Sequence, residues 1–84
     1  MNAMSVRVRL FARAKDLAGA HHLEVDLGDN ATVGDLRRRL AQLQPSLADL
    51  LPRSAIAVNE EFADDGFVLR PGMTVALLPP VSGG

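Results

Sequence analysis

Only one stretch of this chain carries the pattern of a long helix, and that limits the fold more than any other feature of the sequence. Val33, Leu36, Leu40 and Leu43 recur at a 3-4-3 spacing, which is one stripe of an amphipathic helix. Thr32 stands at the N-cap position, and Asp35 follows where a carboxylate favours a helix start. Pro45 ends the segment. Elsewhere apolar and polar residues alternate, the period of a half-buried strand. Over residues 6–12, Val6, Val8 and Leu10 face the core, and Arg7, Arg9 and Phe11 face outward. Over residues 22–27, Leu23, Val25 and Leu27 share one face. Residues 55–58 read as a third strand, and Phe62 and 67–69 as short strand pieces around an Asp65-Gly66 turn. In the last strand, 73–78, Met73, Val75 and Leu77 lie on one face, with Thr74, Ala76 and Leu78 on the other.

The connections are short. Residues 13–17 make a turn or short helix that Gly19 stops, and 46–51 a second short turn with Ser46 as its cap. Gly28-Asp29-Asn30, Asn59-Glu60-Glu61 and Arg70-Pro71-Gly72 are turn clusters. One helix cannot cover both faces of a sheet. The expected class is therefore α+β: a ubiquitin-like β-grasp roll, a mixed sheet with one main helix packed on one face. Its first and last strands should be central, adjacent and parallel. A ferredoxin-like fold would need a second full helix, and 46–51 is too short. Val8, Leu36, Leu40, Val75 and Leu77 are the expected core between helix and sheet. With 84 residues, 1–84 forms one domain that buries about 60% of its unfolded surface. At 48% hydrophobic and 23% charged, it is no disordered chain.

Little in the sequence carries chemistry. There is no cysteine, hence no disulfide, thiolate metal site or cysteine nucleophile. His21 and His22, as neighbours on a strand, should point to opposite faces, so no metal site is expected. No Gly-Lys-Ser/Thr phosphate loop or nucleophile-elbow serine occurs. Nine basic residues against ten acidic ones give a formal charge of −1, so nucleic acid is not an expected partner. No apolar run approaches the roughly 20 residues of a membrane helix, so no membrane partner is expected either. The start of the chain lacks a basic n-region and an apolar h-region, and the expected location is cytoplasmic. Arg37-Arg38-Arg39 reads as the solvated side of the helix, with a phosphate or partner contact as the sharper alternative. Glu60, Glu61, Asp64 and Asp65 make an acidic hairpin region, solvated or set to meet a basic partner.

The chain ends on Pro79-Pro80-Val81-Ser82-Gly83-Gly84. Two prolines cannot continue a central strand and favour a projecting chain, so 79–84 is expected to be an extended, flexible tail. Six extended residues reach roughly 20 Å. A tail ending in two glycines can thread a narrow tunnel and bring its carboxylate to another protein's active site. By composition alone, a frayed terminus explains it equally well.

Taken with the rest, the ending resembles that of the MoaD/ThiS sulfur-carrier family of ubiquitin-like proteins, and in particular the small subunits of molybdopterin synthase. The resemblance spans 6–84. Its pieces are Leu10-Phe11-Ala12, Ala31-Thr32-Val33 with Leu36, Ala57-Val58-Asn59, Leu69-Arg70-Pro71-Gly72 and Leu78-Pro79-Pro80-Val81-Ser82-Gly83-Gly84. Arg70 departs from the acidic or polar residues common there, at a turn position. The resemblance implies a protein without an active site or bound cofactor of its own. A ubiquitin-activating-type enzyme would use ATP and Mg²⁺ to adenylate Gly84, and sulfur would replace AMP to leave a thiocarboxylate. Pro80, Val81, Ser82 and Gly83 would thread the tail into the large catalytic subunit of a heterotetrameric molybdopterin synthase. There the sulfur attacks cyclic pyranopterin monophosphate. Alternatives are a carrier for another pathway, such as thiazole synthesis, and a protein modifier whose Gly84 ends in an isopeptide bond.

Period-two counting also suggests where partners dock. Phe11 and Leu78 fall on the outer sheet face at neighbouring strand ends, beside the root of the tail, and Phe62 can extend the patch. Both the adenylating enzyme and the large subunit are expected to dock there in turn.

Overall fold

The computed structural model describes residues 3–80. The chain runs β1 (Ala3–Leu10), α1 (Ala12–Ala18), β2 (His22–Gly28), α2 (Val33–Leu43), two 3₁₀ turns (Pro45–Leu47 and Leu51–Arg53), β3 (Ala55–Val58), β4 (Glu61–Ala63) and β5 (Val75–Leu78). The strands make one mixed sheet in the order β2-β1-β5-β3-β4. β1 pairs antiparallel with β2 and parallel with β5, and β5 pairs antiparallel with β3. The first and last strands are thus interior, adjacent and parallel, as the sequence predicts. The main helix α2 lays Val33, Leu36 and Leu40 on a core that includes Val6, Val8, Val25, Ile56, Val75 and Leu77. All five expected core residues, Val8, Leu36, Leu40, Val75 and Leu77, are fully buried.

The start of α2 is fixed twice. Locally, Thr32 Oγ1 accepts from the Asp35 amide at 3.2 Å, and the Asp35 carboxylate accepts from the Thr32 amide at 2.9 Å, a reciprocal capping box. From a distance, the segment after β4 lies across it. Val33 N–H donates to Phe67 O at 2.9 Å, Gly34 N–H to Asp65 O at 3.0 Å, and Leu69 N–H to Ala31 O at 2.8 Å. A Cβ on Gly34 would stand 3.3 Å from Asp65 O, so the absent side chain is what lets this segment approach so closely.

Several sequence expectations are corrected. The first strand ends at Leu10 rather than Ala12, because Ala12 adopts φ 51 and Phe11 becomes the N-cap of α1. Leu43 completes the stripe by spacing but is 42% exposed; it is the last residue of α2, and Leu47 of the following 3₁₀ turn joins the core instead. Ser46 caps nothing, and its hydroxyl donates to Leu17 O at 3.2 Å. Glu61 belongs to β4, so the turn is Asn59-Glu60, both with positive φ, as a two-residue hairpin requires. Residues 67–69 do not pair with Phe62. Val68 makes an isolated bridge to Thr32, because this segment's backbone groups satisfy the start of α2. The last strand begins at Val75, with Met73 half-buried in the turn before it.

Arg37 departs from the solvated reading of the arginine run. Its side chain is only 19% exposed, donating to Asp65 Oδ1 at 2.7 Å and to Ser54 O at 2.8 Å, with Leu51 O as a third acceptor. It ties α2 to both the second 3₁₀ turn and the segment after β4. Arg38 pairs with Asp35 and Arg39 with Gln42, on the exposed side.

Candidate functional site

The outer sheet face is built by register. His22 stands opposite Arg9, Arg9 opposite Ala76, Ala76 opposite Ala57, and Ala57 opposite Phe62. One row therefore crosses all five strands. Two alanines in its middle leave a low floor, and larger side chains rise around it. The result is a depression of about 270 Å³ lined by Arg9, Phe11, Ala57, Phe62, Ala76 and Leu78, with Glu60 and Thr74 also on its wall.

Three of these residues were expected, Phe11 and Leu78 from period-two counting and Phe62 from its place on the hairpin, and the fold brings all three to one concavity. Phe62 on β4 is 77% exposed, an aromatic side chain with almost nothing of this chain over it. Phe11 and Leu78 are half-buried, one just past the end of β1 and the other at the end of its parallel neighbour β5. Pro79 and Pro80 leave the sheet directly from this rim, and Pro80 is exposed. Val81, Ser82, Gly83 and Gly84, the tail residues singled out in the sequence, lie outside the described residues.

Sequence reasoning missed Arg9 and the two alanines. Arg9 carries its guanidinium 5.2 Å from the centroid of the Phe11 ring, a cation–π arrangement. Its alternation with Phe11 was the available signal. Counting put Ala76 on the outer face, but that it stands opposite Ala57 in the floor follows only from the strand register.

A second depression, of about 450 Å³, adjoins the first along Arg9 and Phe11 and is also lined by Arg7, Lys15, His21 and His22. The two histidines share this depression, contrary to the expectation of opposite faces, because His21 precedes β2 and only His22 lies in the strand. Arg7 donates to Glu24 at 2.8 Å from the neighbouring strand. That bond, then one from the Ser5 hydroxyl, holds the Glu24 carboxyl below its usual range. Among the described residues no group of three or more His, Cys, Asp or Glu could hold a metal ion. No helix among them is long and apolar enough to cross a membrane.

The arrangement offers an apolar, aromatic-edged hollow where the chain leaves β5. The sequence profile of the ThiS family matches residues 8–84. A molybdopterin synthase sulfur carrier subunit from Chlamydomonas reinhardtii is 32% identical over 83 residues, covering 96% of this chain and all of that one. Among solved structures, small archaeal modifier protein 1 of Haloferax volcanii superposes with a TM-score of 0.84 at 30% identity, over 93% of this chain and 99% of that one. The complex of subunits 1 and 2 of the molybdopterin-converting factor from Helicobacter pylori contains a chain matching with a TM-score of 0.66 at 30% identity, over 96% of this chain and all of that one. With its ubiquitin-like β-grasp sheet and this likeness along nearly its whole length, the chain belongs to the ThiS family, among the molybdopterin synthase sulfur carrier subunits.

Proposed function

We propose that this protein carries sulfur for molybdenum cofactor biosynthesis on its C-terminal glycine. The observation that supports the reading most is that the family match runs to Gly84, the second glycine of the Gly-Gly ending. The hollow at the root of the tail supports it, since a docked partner there has the chain end within reach.

The chemistry follows from the end group. A carboxylate is a poor acyl electrophile. A ubiquitin-activating-type enzyme, using ATP and Mg²⁺, joins the Gly84 carboxylate to AMP and releases pyrophosphate. Sulfur at the sulfide level then attacks the acyl carbon, the bond to the AMP oxygen breaks, and a thiocarboxylate remains. The likeness to a chain in the Helicobacter pylori complex of subunits 1 and 2 of the molybdopterin-converting factor supports the large catalytic subunit of molybdopterin synthase as the partner that receives the tail. There the sulfur attacks a carbon of cyclic pyranopterin monophosphate, an oxygen substituent leaves that carbon, water cleaves the acyl–sulfur bond to return the Gly84 carboxylate, and two carriers supply the two dithiolene sulfurs. Acid and base groups for the step come from the large subunit. This chain contributes a nucleophile held in place, and correct placement alone can lower a barrier by several kcal/mol.

Phe11, Phe62 and Leu78 form the docking patch for both partners in turn, and Pro80, Val81, Ser82 and Gly83 the lead into the active site. The likeness to an archaeal modifier protein favours one alternative, a Gly84 isopeptide bond to target lysines. Reconstitution separates the two. Thiocarboxylated carrier mixed with the large subunit and cyclic pyranopterin monophosphate should yield molybdopterin, and carrier lacking Gly84 should yield none. Molybdopterin formation by the deleted chain would overturn the proposal, and Gly84 found only in adducts with other proteins would favour the modifier.

A further inference from the structure

We infer that the partner docking on the apolar hollow presents a carboxylate-bearing segment beside its apolar anchor, and that Arg9 and the basic depression next to the hollow receive it. This rests on the docking role proposed for Phe11, Phe62 and Leu78, and it specifies the chemistry of the surface that meets them.

Arg9 and Phe11 together form the wall shared by both depressions, and Arg9 is its charged part. Its backbone position is fixed by pairing on both sides, opposite His22 on β2 and Ala76 on β5, and its guanidinium rests over the Phe11 ring. Among the described residues that guanidinium makes no hydrogen bond and no ion pair, unlike Arg7, whose charge is met by Glu24. Glu60 lines the apolar hollow too, but forms no ion pair with Arg9. An apolar side chain seated against Phe11 therefore strips water from a guanidinium with uncommitted donors. Burying a cation without a counter-charge is costly, whereas a carboxylate can meet it through two parallel bonds. A partner that used only apolar contacts would carry that cost unrelieved.

The second depression extends the argument. Lys15, His21 and His22 line it with Arg9, while Arg7 is the one cation there with an internal partner. The chain as a whole carries a formal charge of −1, so the gathering of Arg7, Arg9 and Lys15 around one depression runs against the average of its surface. A continuous path leads from apolar hollow to basic depression across Arg9. It suits an extended acidic segment whose apolar residue fills the hollow and whose carboxylates follow across Arg9. An inorganic anion would use only the basic half.

Two measurements test this. In the first, the ¹⁵N-labelled chain is titrated with acetyl-Glu-Leu-Glu-Phe-amide, with its Gln analogue and with inorganic phosphate. The acidic peptide should shift the amides of Arg9, Phe11, His22 and Ala76 and bind at least about fivefold tighter than the analogue, with binding weakened by added salt. Equal binding of both peptides, shifts confined elsewhere, or a response to phosphate alone would overturn the inference. In the second, calorimetry follows binding of the molybdopterin synthase large subunit to the full chain. Arg9→Glu should weaken it roughly tenfold or more, with Arg9→Lys recovering much of the loss and far-ultraviolet circular dichroism unchanged in both. Wild-type strength in Arg9→Glu would overturn the inference while leaving the docking role intact. Selective binding of the acidic peptide with no binding of the large subunit would leave the inference standing and remove the function on which the partner's name depends.

Discussion

Leu40 and Leu43 sit three residues apart on the same helical stripe, and the structure treats them oppositely. Leu40 is sealed between α2 and the sheet, and Leu43 is 42% exposed. Spacing identifies a face but not where the sheet beneath it ends. Leu40→Ala should cost about 2–5 kcal/mol in urea unfolding, and Leu43→Ala well under half of that. Comparable losses would contradict the packing described. Arg37 was illegible for a different reason: its acceptors Leu51 O, Ser54 O and Asp65 Oδ1 stand 14, 17 and 28 residues further along the chain. No local pattern reports a bond of that span. Phe11 and Leu78 were legible as outward-facing because strand alternation is local, and Phe62, placed by the hairpin, converges with them on one hollow. Phe11→Ala and Phe62→Ala should each weaken binding to the large subunit by more than about 1 kcal/mol in calorimetry, with the thermal unfolding of Phe62→Ala nearly unchanged. Undiminished binding by both variants would remove the docking role.

At the level of elements, α2 and β3 were read from the sequence almost to the residue, and the segment after β4 was not. The difference lies in where each finds its hydrogen-bond partners. α2 has a capping box within four residues, whereas 67–69 pair with the start of a helix more than thirty positions earlier. The capping box also makes the helix sensitive to acid. The Asp35 carboxyl is held below its ordinary value, first by the Thr32 backbone N–H, then by the Thr32 hydroxyl and by Arg38. Its folded value lies below its unfolded one, so protons bind the unfolded chain more readily. The stabilisation is complete above the ordinary aspartate value, near pH 4, and is lost as pH falls through the lowered value. Wild-type stability should therefore decline below about pH 4, and Asp35→Asn should flatten that part of the profile. Thr32→Ala should cost about 1 kcal/mol at neutral pH by the same denaturation assay. An identical acid profile in Asp35→Asn would show that the carboxylate does not support the helix.

Across the whole molecule, the parallel pairing of β1 and β5 does the most to place the site. It puts Phe11 and Leu78 at matching strand ends and sends Pro79 and Pro80 away from the same rim. This much followed from one helix, period-two strands and a proline pair. The floor between them did not, because alternation puts Ala76 on the outer face but only the register sets it against Ala57. A tail that must pass a narrow channel has no room for a side chain next to its reactive end. Gly83→Leu should therefore leave thermal unfolding unchanged and abolish molybdopterin formation. The central claim, that Gly84 becomes a thiocarboxylate, is tested most directly by intact-mass spectrometry of the chain after incubation with the adenylating enzyme, ATP, Mg²⁺ and a sulfide source. The account predicts a mass gain equal to one sulfur replacing one oxygen, localised to the C-terminal peptide and absent when Gly84 is deleted. An unchanged mass with the adenylating enzyme active on a known carrier, or sulfur found away from Gly84, would contradict it.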